Sequence, residues 1–100
     1  MAQLYFAHAN GFSAKTYSYL FELLQPHKVS YIENIGHGEY EINHNWTNLA
    51  DELIADIEQK HEKKIIGVGH SLGAVITLFA ALKRPDLFSQ IIILDPPLLR

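Results

Sequence analysis

Residues 65–74, IIGVGHSLGA, decide the fold of this chain. A short apolar run, Ile65–Val68, leads into the pattern G-x-S-x-G, and a second apolar run follows it. This order indicates a buried strand, a sharp turn that carries Ser71, and a helix. Gly69 and Gly73 flank the serine and allow the backbone to crowd around such a turn. The free N–H groups and the positive end of the helix then point at the serine hydroxyl, which is placed to attack a carbonyl carbon.

Length, charge and composition narrow the class of protein: the chain has 100 residues, a net charge of -3 and no cysteine. These values predict one small domain without disulfides or thiolate metal ligands, and no pair of histidines has the spacing of a metal site. The small negative charge gives no electrostatic reason to expect nucleic acid or an anionic membrane as a partner. The N-terminus lacks the basic and apolar regions of a secretory signal, and the longest apolar stretch, 72–82, is too short to span a bilayer. We therefore expect a cytoplasmic protein with no membrane span, no metal and no cofactor.

Apolar runs and helical patterns alternate on both sides of the Ser71 turn. Continuous apolar runs predict short strands that are buried on both faces. The predicted strands are Leu4–Ala7, Val29–Ile32, Ile65–Val68 and Ile91–Leu94. Because a helical pattern fills each interval, the order is βαβαβαβ. This order predicts an α/β fold, with a parallel sheet and helices flanking it on both faces.

The three helical patterns differ in how they distribute apolar side chains. The first places one apolar face on Tyr17, Leu20, Phe21 and Leu24, and Pro26 ends it. The second has a buried stripe of Leu49, Leu53, Ile54 and Ile57. Its acidic residues are expected to face water; they are Asp51, Glu52, Asp56 and Glu58. The third runs from Leu72 to Leu82, is apolar nearly all round, and is therefore expected to be buried.

Polar or glycine-rich positions follow every predicted strand. They are His8–Phe12, Gly36–Gly38, Ser71 and Asp95. Open parallel sheets bind ligands beyond the C-terminal ends of their strands. We therefore expect these four positions to lie at one edge of the sheet, around one site.

Three of these motifs resemble those of the N-terminal half of an α/β-hydrolase. His8-Ala9-Asn10-Gly11-Phe12 resembles the oxyanion loop after the first core strand, and Gly69–Ala74 resembles the nucleophile elbow. Gly36-His37-Gly38 resembles the family's Pro-Gly-His-Gly turn, with Ile35 in the place of proline. The resemblance covers nearly all of the 100 residues. It implies that residues 1–100 are the N-terminal part of a single α/β-hydrolase domain that is incomplete at its C-terminus.

The resemblance implies a serine hydrolase of the esterase and lipase type, with Ser71 as the nucleophile. The oxyanion hole would use the backbone N–H of Leu72 and that of Phe12, with Asn10 as the second choice for the latter. Asp95 is the less favoured candidate for the catalytic acid, because most members of the family take that residue from the following strand. No histidine follows Ser71 in this sequence. The catalytic histidine and the usual acid are therefore expected beyond the last residue.

The histidines before Ser71 are interpreted as structural residues. Neighbouring side chains diverge in a tight turn, so His70 is expected to pack and to form hydrogen bonds rather than act as the base. His8 is expected to shape the loop after the first strand, and His37 to shape its own turn. The remaining histidines are expected to be exposed; they are His27, His44 and His61.

Aromatic side chains near the predicted edge are candidates for the border of an acyl pocket. They are Phe12, Tyr17, Tyr40 and Trp46. Tyr17 also has the spacing of a helix face, so core packing explains it equally well.

Two classes of function remain open from the sequence. The first is an enzyme that cleaves a small-molecule carboxylic ester or a related acyl bond through an acyl-enzyme; a thioesterase, a cofactor-free haloperoxidase or a carbon–carbon bond hydrolase would fit the same motif. The second is a non-catalytic fragment or binding module that keeps the fold. No base follows Ser71, and Ile91–Leu94 would form a bare apolar edge, which favours association.

Overall fold

Four parallel strands form the centre of the computed structural model, which describes residues 3–9, 12–36 and 47–96. The strands are β1 (Gln3–Ala7), β2 (Lys28–Tyr31), β3 (Ile65–His70) and β4 (Phe88–Leu94). Their order in the sheet is β2-β1-β3-β4, and every neighbouring pair is parallel. The predicted α/β class and parallel sheet are confirmed. The longest departure from the predicted bounds is in β4, which begins three residues before Ile91.

In the part of the chain that the structure describes, three helices connect the strands: α1 (Ser18–Leu23), α2 (Thr47–Lys60) and α3 (Leu72–Lys83). Short 3-10 turns precede α1 at Ala14–Tyr17 and β4 at Pro85–Leu87. The helix predicted around Tyr17 is thus a 3-10 turn that continues into α1. Since proline lacks an N–H group, the chain turns before β2, as Pro26 predicted.

Helices cover both faces of the sheet because successive side chains of a strand point to opposite sides. Phe6 points to the α1 side, where its ring centroid lies 4.5 Å from that of Tyr17 and 5.3 Å from that of Phe21. Tyr5 and Ala7 point to the other side and join the core beneath α2 and α3. Both strand faces are therefore dry, as a continuous apolar run predicts.

The main core lies between the sheet and the pair α2 and α3. The predicted stripe of α2 is buried there, with Leu49, Leu53, Ile54 and Ile57 all less than 9% exposed. The sheet and α3 contribute buried residues that face this stripe, among them Ile65, Ile76, Ala80 and Phe88. This packing fixes α3, and with it the Ser71 turn, against the central strands.

Two acidic residues of α2 that were expected to face water do not. Glu52 is 9% exposed and accepts a hydrogen bond from the Gly36 N–H at 2.9 Å. Asp56 accepts a hydrogen bond from the Tyr5 hydroxyl and pairs with Lys60 at 2.8 Å. Burial, with the Asp56 contact, raises the pKa of Tyr5 above its ordinary value. The prediction was wrong because Glu52 and Asp56 stand three residues after Leu49 and Leu53, which puts them beside the buried stripe of the helix.

Helix α3 is also less enclosed than its sequence predicts. Leu78 is 41% exposed and Leu82 is 72% exposed, although Ala74, Ile76 and Ala80 are buried. In the described ranges only one side of α3 is covered, by the sheet and α2. The same ranges contain no helix with the length and apolarity that crossing a membrane requires.

One histidine expected to be exposed is partly enclosed. The His61 ring stands edge-on to that of Tyr5, with centroids 6.3 Å apart, and its Nε2 lies 3.1 Å from the Ser30 hydroxyl. His27 is exposed, as expected. The predictions for Asn10, Gly11 and residues 37–46, which include His37, Tyr40, His44 and Trp46, fall outside the described residues.

Candidate active site

Ser71 alone connects β3 to α3. Its backbone has φ 57° and ψ -118°, a combination that an L-residue with a side chain rarely adopts. Its side chain forms no capping hydrogen bond to the helix. Such strain persists only where the surroundings over-determine the conformation, and it is frequent at functional sites.

The two glycines that flank Ser71 mark places where backbone meets backbone. A Cβ atom on Gly73 would lie 2.1 Å from the Ala7 carbonyl oxygen, at the end of β1. A Cβ atom on Gly69 would lie 2.4 Å from the Gly73 carbonyl oxygen. No side chain fits at either position, so the G-x-S-x-G spacing follows from the way α3 starts directly against β1 and β3.

Backbone hydrogen bonds hold the Ser71 turn to the neighbouring strand and helix. The Ser71 N–H donates to the Leu94 carbonyl at 3.0 Å, and the Ser71 carbonyl accepts from the Ala74 N–H at 2.9 Å. The first bond joins the C-terminal ends of β3 and β4. Asp95, the next residue after β4, is exposed with φ 47° and lies at the same edge. A catalytic role for Asp95 stays a prediction.

The predicted oxyanion donors have different surroundings. In the described part of the chain the Leu72 N–H donates to no backbone carbonyl, as expected for the first residue of a helix. The Phe12 N–H donates to the Ala9 carbonyl at 3.2 Å, and the Phe12 side chain is 55% exposed. An oxyanion donor at Phe12 stays a prediction, and it requires this N–H to be shared with Ala9 or released from it. Asn10 lies outside the described residues.

His8 connects the loop after β1 to the loop after β2. Its ring is 6% exposed; Nε2 accepts the Ile35 N–H at 2.8 Å, and Nδ1 lies 2.8 Å from the Ala9 carbonyl. Since a backbone N–H can only donate, Nε2 is the acceptor and Nδ1 carries the proton. Both ring nitrogens are therefore engaged in holding loops, which confirms the interpretation of His8 as a loop-shaping residue.

His70 forms a hydrogen bond and an aromatic contact with Tyr17. The two side chains meet at 2.8 Å between the Tyr17 hydroxyl and His70 Nδ1, and their rings are edge-on with centroids 5.7 Å apart. The packing role predicted for His70 is confirmed. The Tyr17 hydroxyl also accepts the Ala9 N–H at 3.1 Å. The sequence did not reveal this bridge, because it offered Tyr17 a place on a helix face or at the border of an acyl pocket and gave no partner for its hydroxyl.

Comparison with known proteins identifies the family. The model of the alpha/beta hydrolase family matches residues 4–100. The chain belongs to this family. The strands, the helices and the Ser71 turn follow one another in the order predicted from the sequence.

Two curated relatives, a hydrolase and a receptor, are longer than this chain. The uncharacterized hydrolase YugF of Bacillus subtilis is 43% identical over 49 residues, which are 49% of this chain and 18% of that protein. The Karrikin insensitive 2 receptor CA of Petunia hybrida is 30% identical over 94 residues, covering 86% of this chain and 35% of the receptor. The chain therefore spans well under half the length of these relatives.

Solved structures of alpha/beta hydrolases have the same backbone arrangement. The N-formylmaleamic acid deformylase of Pseudomonas putida S16 is 26% identical and superimposes with a TM-score of 0.82, over 96% of this chain and 39% of that protein. The chain therefore corresponds to less than half of that solved structure.

Proposed function

We propose that the complete protein is a serine hydrolase that cleaves a carboxylic ester or a related acyl bond, with Ser71 as the nucleophile. The observation that carries this proposal is the strained Ser71 backbone, at φ 57° between β3 and α3. Residues held in such costly conformations cluster at active sites, ligand clamps and switch regions. Membership of the alpha/beta hydrolase family supports the same conclusion.

The reaction would proceed through an acyl-enzyme. The Ser71 hydroxyl attacks the carbonyl carbon and gives its proton to a general base, and the C–O bond to the leaving alcohol then breaks. The base passes that proton to the alcohol. A water molecule then attacks the carbonyl carbon of the acyl-enzyme and gives a proton to the same base. The bond to Ser71 breaks, and the base returns the proton to the Ser71 oxygen. Because no histidine follows Ser71 among the 100 residues, we assign the base to a part of the protein beyond them.

The negative charge that develops on the carbonyl oxygen needs donors fixed in advance. The Leu72 N–H is the first candidate, because it begins α3 and has no carbonyl partner among the described residues. The second would come from the loop after β1, where the Phe12 N–H is bonded to the Ala9 carbonyl at 3.2 Å. Removal of one such donor costs about 100- to 1,000-fold in rate in other serine hydrolases.

A fluorophosphonate probe tests the nucleophile directly. We expect the complete wild-type protein to be labelled on Ser71 and the variant Ser71→Ala to remain unlabelled, as measured by mass spectrometry of the labelled peptide. Ser18→Ala, which removes an exposed hydroxyl at the start of α1, is the matched control and should be labelled like the wild type. Folded wild-type protein without label on Ser71 would contradict the proposal.

The similarity to a plant receptor favours one second candidate function. The Karrikin insensitive 2 receptor CA matches 86% of this chain, so the fold could serve ligand binding without turnover. The variant Ser71→Ala distinguishes the two functions by its effects on ester hydrolysis and on ligand binding. Loss of all activity towards esters indicates the hydrolase, whereas unchanged binding of a small-molecule ligand with no turnover in the wild type indicates the receptor-like function.

A further inference from the structure

We propose that Tyr17, acting through His70, is a positioning residue that sets the separation between the oxyanion loop and the Ser71 turn. By the oxyanion loop we mean His8, Ala9 and Phe12, the described residues of the segment that follows β1. The inference rests on the proposed function, and it assigns a role to a hydroxyl that no step of that chemistry uses. Tyr17 itself belongs to neither segment, since it ends the 3-10 turn before α1.

The Tyr17 hydroxyl contacts both segments at once. On one side it accepts the Ala9 N–H at 3.1 Å, two residues after the end of β1. On the other side it lies 2.8 Å from Nδ1 of His70, the last residue of β3 and the neighbour of Ser71. A single oxygen atom therefore joins the two segments from which the oxyanion donors would come.

The chemistry of the three groups fixes the direction of both hydrogen bonds when His70 is neutral. A backbone N–H can only donate, so the Tyr17 oxygen is the acceptor towards Ala9. The phenolic hydrogen is then free to point at Nδ1 of His70, which accepts it. The neutral His70 ring must carry its own hydrogen on Nε2, because each neutral imidazole has one donor and one acceptor nitrogen.

The aromatic packing holds the Tyr17 ring independently of its hydroxyl. The ring lies 4.5 Å from Phe6 and 6.5 Å from Phe21, measured between centroids. Removing the hydroxyl thus breaks the two hydrogen bonds and leaves the ring contacts in place. Because Tyr17→Phe keeps the ring contacts, we expect the variant to fold. It therefore tests the two hydrogen bonds of the hydroxyl alone.

The bond to Ala9 matters because Ala9 also orients the predicted second donor. Its carbonyl accepts the Phe12 N–H at 3.2 Å and lies 2.8 Å from Nδ1 of His8. Rotation of the Ala9 backbone would therefore move the Phe12 N–H. The other donor, Leu72, follows Ser71 directly, so the Tyr17 hydroxyl, bonded to both Ala9 and His70, adds to the pairing of β1 with β3 a link that holds the two donors at their separation. A displacement of about 1 Å at such a site costs on the order of 100-fold in rate.

The kinetic test uses the complete protein with p-nitrophenyl acetate, and counts active sites by fluorophosphonate titration. We expect Tyr17→Phe to lower kcat by about 10- to 100-fold with little change in KM. His70→Leu should also lower kcat. The double variant should be no slower than Tyr17→Phe, because both substitutions break one shared connection. A loss of stability alone would reduce the number of titrated sites and leave kcat per site unchanged.

A conservative variant and a spectroscopic measurement separate positioning from packing. In His70→Asn the side-chain oxygen takes the place of Nδ1 and still accepts the Tyr17 hydrogen, so we expect kcat to recover most of the loss seen in His70→Leu. In the wild type at a pH where His70 is neutral, the 15N shifts of its ring should correspond to the form protonated on Nε2. In Tyr17→Phe the preference of the neutral His70 ring for protonation on Nε2 should weaken.

The outcomes distinguish this inference from the proposed function. A folded wild-type protein that is not labelled contradicts the proposed function and the inference with it. A labelled wild type whose Tyr17→Phe variant keeps its kcat per site contradicts the inference alone. Equal losses in His70→Asn and His70→Leu, or a wild-type His70 ring protonated on Nδ1 when neutral, would also overturn it.

Discussion

Gly73 is the residue at which the end of β1 touches the start of α3. Its missing side chain lets the Ala7 carbonyl approach to where a Cβ atom would lie only 2.1 Å away. Gly67, in β3, is also close-packed, but a Cβ atom there would meet side-chain atoms, of Phe88 at 2.8 Å and of Thr77 at 3.0 Å. Side chains can adjust by rotation, whereas the backbone of two packed elements moves only as a whole.

The two glycines therefore predict different costs for the same substitution. Gly73→Ala should lower the free energy of unfolding of the complete protein by about 3 kcal/mol or more, because a backbone must move. Gly67→Ala, the matched control, should cost about 1–3 kcal/mol as Phe88 and Thr77 shift. Urea denaturation measures both values. Equal costs at the two positions would mean that the backbone contact at Gly73 is not the limiting one.

At the scale of elements, α2 contributes more than its apolar stripe. Glu52 accepts the Gly36 N–H at 2.9 Å and so ties the loop after β2 to the helix. It stands three residues after Leu49 and one before Leu53, which puts it beside the buried stripe. The burial of Glu52 could be predicted from its spacing in the sequence. Its partner could not, because the Gly36 N–H belongs to a distant loop.

The junction of β1, β2 and the end of α2 is expected to respond to pH through His61. Burial lowers the pKa of the His61 ring below its ordinary value, the charge of Lys60 lowers it further, and Asp56 opposes both. Since the unfolded chain then binds the proton more readily than the folded one, stability falls as the pH falls through and below about 6.5.

We expect the free energy of unfolding of the wild type to decrease relative to that of His61→Gln between about pH 8 and about pH 5. The variant cannot titrate at this position, while its amide keeps a polar group near Ser30 Oγ. Urea denaturation of both proteins across this range measures the difference. Parallel curves would show that the ring does not titrate differently in the folded and unfolded states.

At the scale of the whole molecule, the sheet has β4 at one edge. Among the described residues β4 pairs only with β3, and Ile92 and Leu94 are each 39% exposed. The Ser71 turn lies at the C-terminal end of this edge pair. The proposed function assigns the base to none of the histidines described near this edge.

The 100-residue chain by itself is therefore expected to give no turnover of p-nitrophenyl acetate above background. The two histidines nearest the turn in the described ranges have ring nitrogens bonded elsewhere, His8 to Ile35 and His70 to Tyr17. The same chain carrying Ser71→Ala is the control for hydrolysis by surface groups. A burst of p-nitrophenol that depends on Ser71 would contradict this expectation.

The elements were predictable because their signals are local. Continuous apolar runs marked all four strands, and the stripe from Leu49 to Ile57 marked the buried side of α2. Exposure was predicted less well. Leu78 and Leu82 are apolar yet exposed, since what covers a helix depends on its neighbours and not on its own composition.

The sequence by itself determined the alternation of strands and helices, the alpha/beta hydrolase family and the position of Ser71 between two glycines. Each of these depends on residues close together along the chain. Only the tertiary structure decided that the Tyr17 hydroxyl joins Ala9 to His70, which are 61 residues apart in number, because that contact depends on how the 3-10 turn before α1 packs against the sheet. For the G-x-S-x-G turn, the structure added the reason: at Gly69 and Gly73 backbone meets backbone, and no side chain fits.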